Sequence, residues 1–132
     1  MRYMLMMHVP RATGEYQISS WSPDDMKAHI QFMKDLNREL TKAGEFVGAE
    51  GLAAPGEAKV VRAAAKTGAP VVTDGPFPEA KEFLAGYWIV DVETPERAYA
   101  IAAKASSAPG PGGAPLNMAI EVRQVMGAPL DL

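Results

Sequence analysis

The chain of 132 residues and 14.1 kDa is long enough for one domain with its own core, and without cysteine it has no disulfide scaffold, thiolate metal site or cysteine nucleophile. Its net charge of −3 has the wrong sign for a nucleic-acid-binding surface, and no apolar run approaches the roughly 20 residues that cross a bilayer. The first apolar run is too short for a signal peptide, so we expect one soluble, cytoplasmic domain over residues 1–126 and a C-terminal tail over 127–132.

The first two predicted elements are a strand and a long helix. Residues 3–9 are apolar at both parities, which is typical of a strand covered on both faces, so we expect a central strand. A polar loop over 10–21 follows. Ser22 is the predicted N-cap, because a proline and two aspartates come directly after it. The helix should run over 23–43 and end at Gly44.

The side chains of this helix divide into an apolar and a polar face. At about 100° per residue, the apolar face consists of Met26, Ile30, Met33, Leu36 and Leu40. Two polar residues, His29 and Asn37, fall within the apolar stripe. A histidine that points inward there needs a partner, since leaving a buried polar group unpaired costs about 1–3 kcal/mol.

The middle of the chain predicts short strands. Residues 45–52 are typical of a strand weakened by two glycines, and 58–64 with 70–73 predict a hairpin that has a glycine at its tip. Two prolines within 74–78 end the second strand of the hairpin, because proline cannot donate to a ladder. Residues 79–84 then predict about one helical turn.

The last third of the chain predicts strand, helix and strand. Residues 85–92 are rich in aromatic and β-branched side chains and predict a second strong strand. Thr94 is the expected cap of a helix over 95–105, whose inward face consists of Ala98, Ile101, Ala102 and Ala105. A loop of Ser, Ala, Gly and Pro over 106–115 precedes an alternating strand over 116–126.

This order of elements predicts the α+β class. It is the ferredoxin-like βαββαβ pattern with an extra β-hairpin, in which both helices cover one face of an antiparallel sheet. The other face then carries apolar residues that no helix covers. A homodimer formed through this open sheet face is the simplest way to bury them.

Motifs in the second half of the chain are similar to those of a known family. They are Asp74-Gly75-Pro76-Phe77 after the hairpin, Lys81-Glu82, Gly86-Tyr87 and the closing segment 120–123. Together with the opening strand and the first helix, they resemble the DGPF proteins. These belong to the YCII-related (YciI-like) proteins of the dimeric α/β barrel superfamily, and the resemblance extends from about residue 2 to 125.

The resemblance implies a ferredoxin-like fold, a homodimer formed sheet to sheet, and a cleft between sheet and helices. It implies no single activity. Some DGPF proteins resemble accessory proteins of extracytoplasmic-function sigma factors, whereas other members of the superfamily are cofactor-free monooxygenases or lactone isomerases. Two hypotheses follow: a cofactor-free enzyme acting on a small apolar or cyclic substrate, or a non-catalytic accessory module associated with such a sigma factor.

A proton-transfer pair is the catalytic hypothesis. YciI-like relatives are proposed to use a His–Asp pair with the histidine on the first helix, which here implies His29 with Asp74. Each residue also has a structural interpretation. Asp74 is a common residue type at the first position of a turn, and an inward histidine is often bonded to a backbone carbonyl. We expect the pocket between the first helix, the Asp74 turn and the last strand.

The candidate ligand-binding residues are His8, Met33, Phe77, Lys81 and Arg123. Methionine suits an adaptable pocket, and Lys81 suits an anionic partner. Each also has a plain interpretation as a core, interface or solvated residue. The two histidines and the scattered carboxylates have no metal-ligand spacing, and no nucleotide or serine-hydrolase motif occurs, so we expect neither a metal nor a cofactor and no nucleic-acid or membrane partner.

Overall fold

The computed structural model describes residues 1–10, 20–64, 66 and 68–128. The helices and strands are β1 Arg2–Pro10, α1 Pro23–Lys42, β2 Phe46–Gly51, β3 Lys59–Arg62, β4 Val71–Asp74, β5 Glu82–Asp91, α2 Pro95–Ser106 and β6 Ile120–Gln124. Most of the predicted loop 10–21, part of the hairpin tip and the end of the tail 127–132 lie outside the described residues.

The fold is α+β, as predicted. Four strands form an antiparallel sheet in the order β2-β5-β1-β6, and β3 and β4 pair as a separate hairpin. The prediction that β1 is a central strand is confirmed, since β5 and β6 pair with its two edges. This strand order is compatible with the ferredoxin-like arrangement, because the first and third strands of the βαββαβ unit are neighbours at its centre.

The core lies between the two helices and one face of this sheet. Alternate residues of β1 and β5 point toward the helices, and Leu5, Trp88 and Val90 are almost completely buried there. From α1 come Leu36 and Leu40. The helix α2 contributes the four residues predicted for its inward face, and three of them are alanines, so this helix can lie close to the sheet.

Both helices begin at the capping residues that the sequence predicts, and α1 ends before the predicted glycine. The Ser22 hydroxyl oxygen accepts a hydrogen bond of 3.1 Å from the backbone N–H of Asp25, and the Thr94 hydroxyl accepts one of 3.2 Å from Arg97. After α1, Gly44 has a positive φ of 72°, a conformation that glycine adopts without strain. The predicted caps of both helices are therefore confirmed.

The inward face of α1 differs from the prediction. Ile30 is 44% exposed, whereas His29 is only 5% exposed and lies on the buried side with Leu36 and Leu40. At 100° per residue, Ile30 is about 120° away from Leu36 around the helix, while His29 is only about 20° away. The buried stripe is therefore centred on His29, Leu36 and Leu40, and the placement of Ile30 on it was wrong.

The segment before β5 is also different. The predicted helical turn over 79–84 is wrong, because β5 already begins at Glu82 and pairs Phe83 with Val9 and Leu84 with His8. Pairing satisfies the backbone groups at the end of β1, which a local turn would leave without partners. At the other end of the chain, the loop 106–115 contains a short 3-10 turn over Pro111–Gly113, and the strand predicted over 116–126 is confined to Ile120–Gln124.

Candidate functional site

A small cleft lies between α1 and the sheet. Its volume is about 170 Å³, and its walls come from β1, α1, β2 and β5: Met7, Met33, Asn37, Ala49, Glu50, Gly51, Tyr87 and Trp88. Met33 is the one predicted ligand-binding residue among them. The prediction had placed the pocket beside the Asp74 turn and the last strand, but this cleft opens at the β2 side of the sheet.

The buried wall of the cleft is held by a hydrogen bond between α1 and β5. The indole N–H of Trp88 donates to the side-chain oxygen of Asn37 at 2.9 Å, and Trp88 itself is only 3% exposed. This bond explains why a polar residue interrupts the apolar stripe of α1. The interruption was visible in the sequence, but its partner is 51 residues away, so only the fold identifies Asn37 as a cleft residue.

His29 lies on the same helix, one turn before Met33, and is bonded within the fold. Its Nδ1 is 3.0 Å from the carbonyl oxygen of Pro109, and the Trp21 ring meets its ring edge-on with centroids 5.2 Å apart. A carbonyl oxygen can only accept, so Nδ1 is the donor in this hydrogen bond. The imidazole thus ties the loop after α2 to α1.

Asp74 lies at the end of β4, in the hairpin. Its side chain is 89% exposed, and its carboxylate accepts a hydrogen bond of 2.6 Å from the Lys59 ammonium across the hairpin. In the described part of the chain, no contact joins Asp74 to His29. Within a single chain, His29 and Asp74 therefore have different partners and do not contact each other in the described residues.

Two of the predicted ligand-binding residues lie on the sheet face away from the helices. His8 pairs with Glu121 there, with 3.2 Å between Nε2 and Oε1. Arg123 is opposite Met4 in the register of β1 and β6, so it shares that face. Phe77 and Lys81 are exposed in the segment between β4 and β5. The predicted ligand-binding residues are therefore distributed over the cleft, the open sheet face and the hairpin region.

A larger groove of about 680 Å³ lies at the end of the sheet where α2 begins, but four of the five charged groups that line it, all except Glu93, already have partners among the described residues. Arg97 donates two hydrogen bonds to the Glu45 carboxylate, at 2.8 and 2.9 Å, and the terminal amine of Met1 is 3.1 Å from Asp91. The hydrogen bonds from Arg97 hold the pKa of the Glu45 carboxyl below its ordinary value. The α1 cleft, with its single amide and apolar walls, is the better candidate for a ligand site.

Comparison with known proteins identifies the family. Within the described residues, no three acidic or histidine side chains are grouped so that they could hold a metal ion, and neither helix is long and apolar enough to span a bilayer. No curated protein matches the chain. The model of the YCII-related domain matches residues 1–112, which include every element from β1 to α2 and confirm the resemblance seen in the motifs. The chain therefore belongs to the family of YCII-related domains.

Proposed function

We propose that this protein is a homodimeric small-molecule-binding protein whose ligand occupies the cleft between α1 and the sheet. The observation that supports the proposal is the composition of the cleft. Its walls combine two methionines with a buried tryptophan and one oriented amide, which is the usual make-up of a small-molecule site. Methionine side chains are flexible and polarizable, so Met7 and Met33 can adapt to a planar ring.

The size of the cleft limits the ligand. Its volume of about 170 Å³ lies below the range of roughly 300–1,000 Å³ that is typical of sites for drug-sized molecules. We therefore propose a ligand with a single ring, such as a small aromatic compound or a lactone. Any chemistry on it would be cofactor-free proton transfer. The proposed acid–base pair is His29 and Asp74, and because neither residue lines the cleft in a single chain, this chemistry would require a second chain to bring them to the ligand.

The proposed dimer uses the open face of the sheet. Met4 and Met6 lie on the face opposite the core residues of β1, with Ile89 and Tyr87 beside them in the register of β5. His8, Glu121 and Arg123 share this face. An isologous interface places each such residue against the same patch of the partner, so the acidic and basic groups of the two copies can pair.

Sedimentation velocity tests the dimer. At low micromolar concentration we expect about 28 kDa, twice the chain mass of 14.1 kDa. Ile89→Glu should produce a monomer, because it places a charge on the covered face at a position that is only half-buried in the single chain. Ile30→Glu, which makes the same type of change on the outer surface of α1, should leave the dimer intact. A monomeric wild-type protein would contradict this part of the proposal.

A thermal-shift screen with small aromatic compounds and lactones tests the ligand site. A ligand at 100 times its Kd should stabilise the protein by about 2.7 kcal/mol. Met33→Glu should abolish that gain, whereas Met26→Glu, which lies on the same helix but outside the cleft, should keep it. Loss of the gain in both variants, or in neither, argues against the cleft as the site.

The same ligand separates the two functional classes. If the protein transfers protons, His29→Ala and Asp74→Asn should abolish turnover and keep the dimer folded. Lower melting temperatures with unchanged ligand affinity would mean that both residues are structural. Binding without turnover by the wild-type protein would favour the alternative, a non-catalytic accessory module associated with an extracytoplasmic-function sigma factor.

A further inference from the structure

We infer that the ligand of the α1 cleft carries an oxygen acceptor, such as the carbonyl of a ketone, ester or lactone, which accepts a hydrogen bond from the Asn37 side-chain amide. The inference deepens the proposed function and rests on it, because it names the chemical group that the cleft selects. Its basis is the Asn37 amide and the hydrogen bond that this amide accepts from the Trp88 indole.

The orientation of the Asn37 amide follows from its partner. The indole nitrogen of Trp88 always carries its hydrogen and has no lone pair to offer, so it can only donate. The Asn37 atom 2.9 Å away must therefore be the oxygen, and the flipped amide would bring two donors together. The buried indole thus fixes which end of the amide is left for other partners.

The end that is left is the Nδ2 group with its two N–H donors. Nδ2 donates no hydrogen bond to any residue in the described ranges, and in the same ranges no fully buried side-chain nitrogen or oxygen lacks a partner. Nδ2 is therefore accessible, and Asn37 lines the cleft. A donor with fixed orientation beside apolar walls favours a ligand that presents an acceptor there.

The Glu50 carboxylate does not take part in this selection. In the register of β2 and β5, Ala49 is opposite the buried Trp88 and Glu50 is opposite Tyr87. Directly opposed residues share a face of the sheet, so the Glu50 side chain points to the open face, on the side of Tyr87, and away from α1.

Acetophenone and α-methylstyrene are the probes that test this inference. They have nearly the same shape, but the carbonyl oxygen of the first is a CH₂ group in the second. We expect wild-type protein to bind acetophenone about 2- to 10-fold more tightly, the effect of one neutral hydrogen bond, as measured by NMR titration.

Asn37→Asp is the decisive variant. Its carboxylate still offers an oxygen to the Trp88 indole, so the wall of the cleft keeps its hydrogen bond, but the amide donor is replaced by an acceptor. The preference for acetophenone should disappear or reverse, while α-methylstyrene should bind as it does to wild type. Unchanged near-ultraviolet circular dichroism would verify the packing around Trp88. If that packing is lost, Asn37→Leu combined with Trp88→Phe, which also removes the indole N–H that leucine would leave without an acceptor, takes its place with the same readouts.

The outcomes separate the inference from the proposed function. If wild type binds both probes with equal affinity, or if the preference for acetophenone survives the loss of the donor, the inference is overturned and the cleft remains a ligand site. If wild type binds neither probe, the proposed function fails, and the inference fails with it. A preference that is present in wild type and absent in the variant supports both.

Discussion

Leu40→Ala is expected to lower the free energy of unfolding by about 2–5 kcal/mol, the range for removing a buried leucine side chain from a packed core. Leu40 is only 1% exposed and belongs to the cluster in which α1 packs against Trp88 and Val90. The truncation leaves a cavity that the strands of the sheet cannot close. Urea unfolding followed by circular dichroism, at one fixed protein concentration, measures the loss.

Ile30→Ala is the matched control for this experiment. It truncates another aliphatic residue of α1, but Ile30 is exposed, so we expect a change within about 0.5 kcal/mol. The pair of variants tests the rotation of the helix as well as burial. Equal losses at both positions, or a larger loss at Ile30, would mean that α1 presents a different face to the sheet.

Gly86→Ala is expected to destabilise the protein by about 1–3 kcal/mol through overpacking. A Cβ atom at this position would lie 2.9 Å from the backbone carbonyl oxygen of Glu50 and 3.5 Å from the end of the Met7 side chain. Because the first contact is with backbone on the neighbouring strand, β2 and β5 would have to move apart. Urea unfolding gives the stability, and amide hydrogen exchange should show faster opening between β2 and β5.

Gly48→Ala makes the same substitution in the neighbouring strand and serves as its control. A Cβ at Gly48 meets no atom within 4 Å, so we expect a change within about 0.5 kcal/mol. If both glycines tolerate alanine equally, close approach of the strands is not the reason for glycine at position 86. The clash gives a physical reason for the glycine of the Gly86-Tyr87 motif, which lies beside the cleft.

The positions of the site residues were harder to predict than the fold. The motif around Asp74 correctly identified the family, and the methionine at position 33 does line the cleft. The motif did not show that Asp74 pairs with Lys59 in an exposed hairpin, or that His29 binds the carbonyl of Pro109. These contacts depend on where the hairpin and the loop after α2 lie in the folded chain. The types of the residues in the motif do not predict those positions.

The sequence by itself determined the features that depend on near neighbours. Ser22 and Thr94 cap the helices because the amides that they accept from are three residues away, and Gly44 ends α1 because its own backbone favours a positive φ. Only the tertiary structure decided which side chains meet across the core. Trp88 is 51 residues after Asn37 in the chain, and its N–H is buried against α1. A buried N–H requires an acceptor, and Asn37 provides it only because α1 packs on the sheet. This packing makes Asn37 a cleft residue.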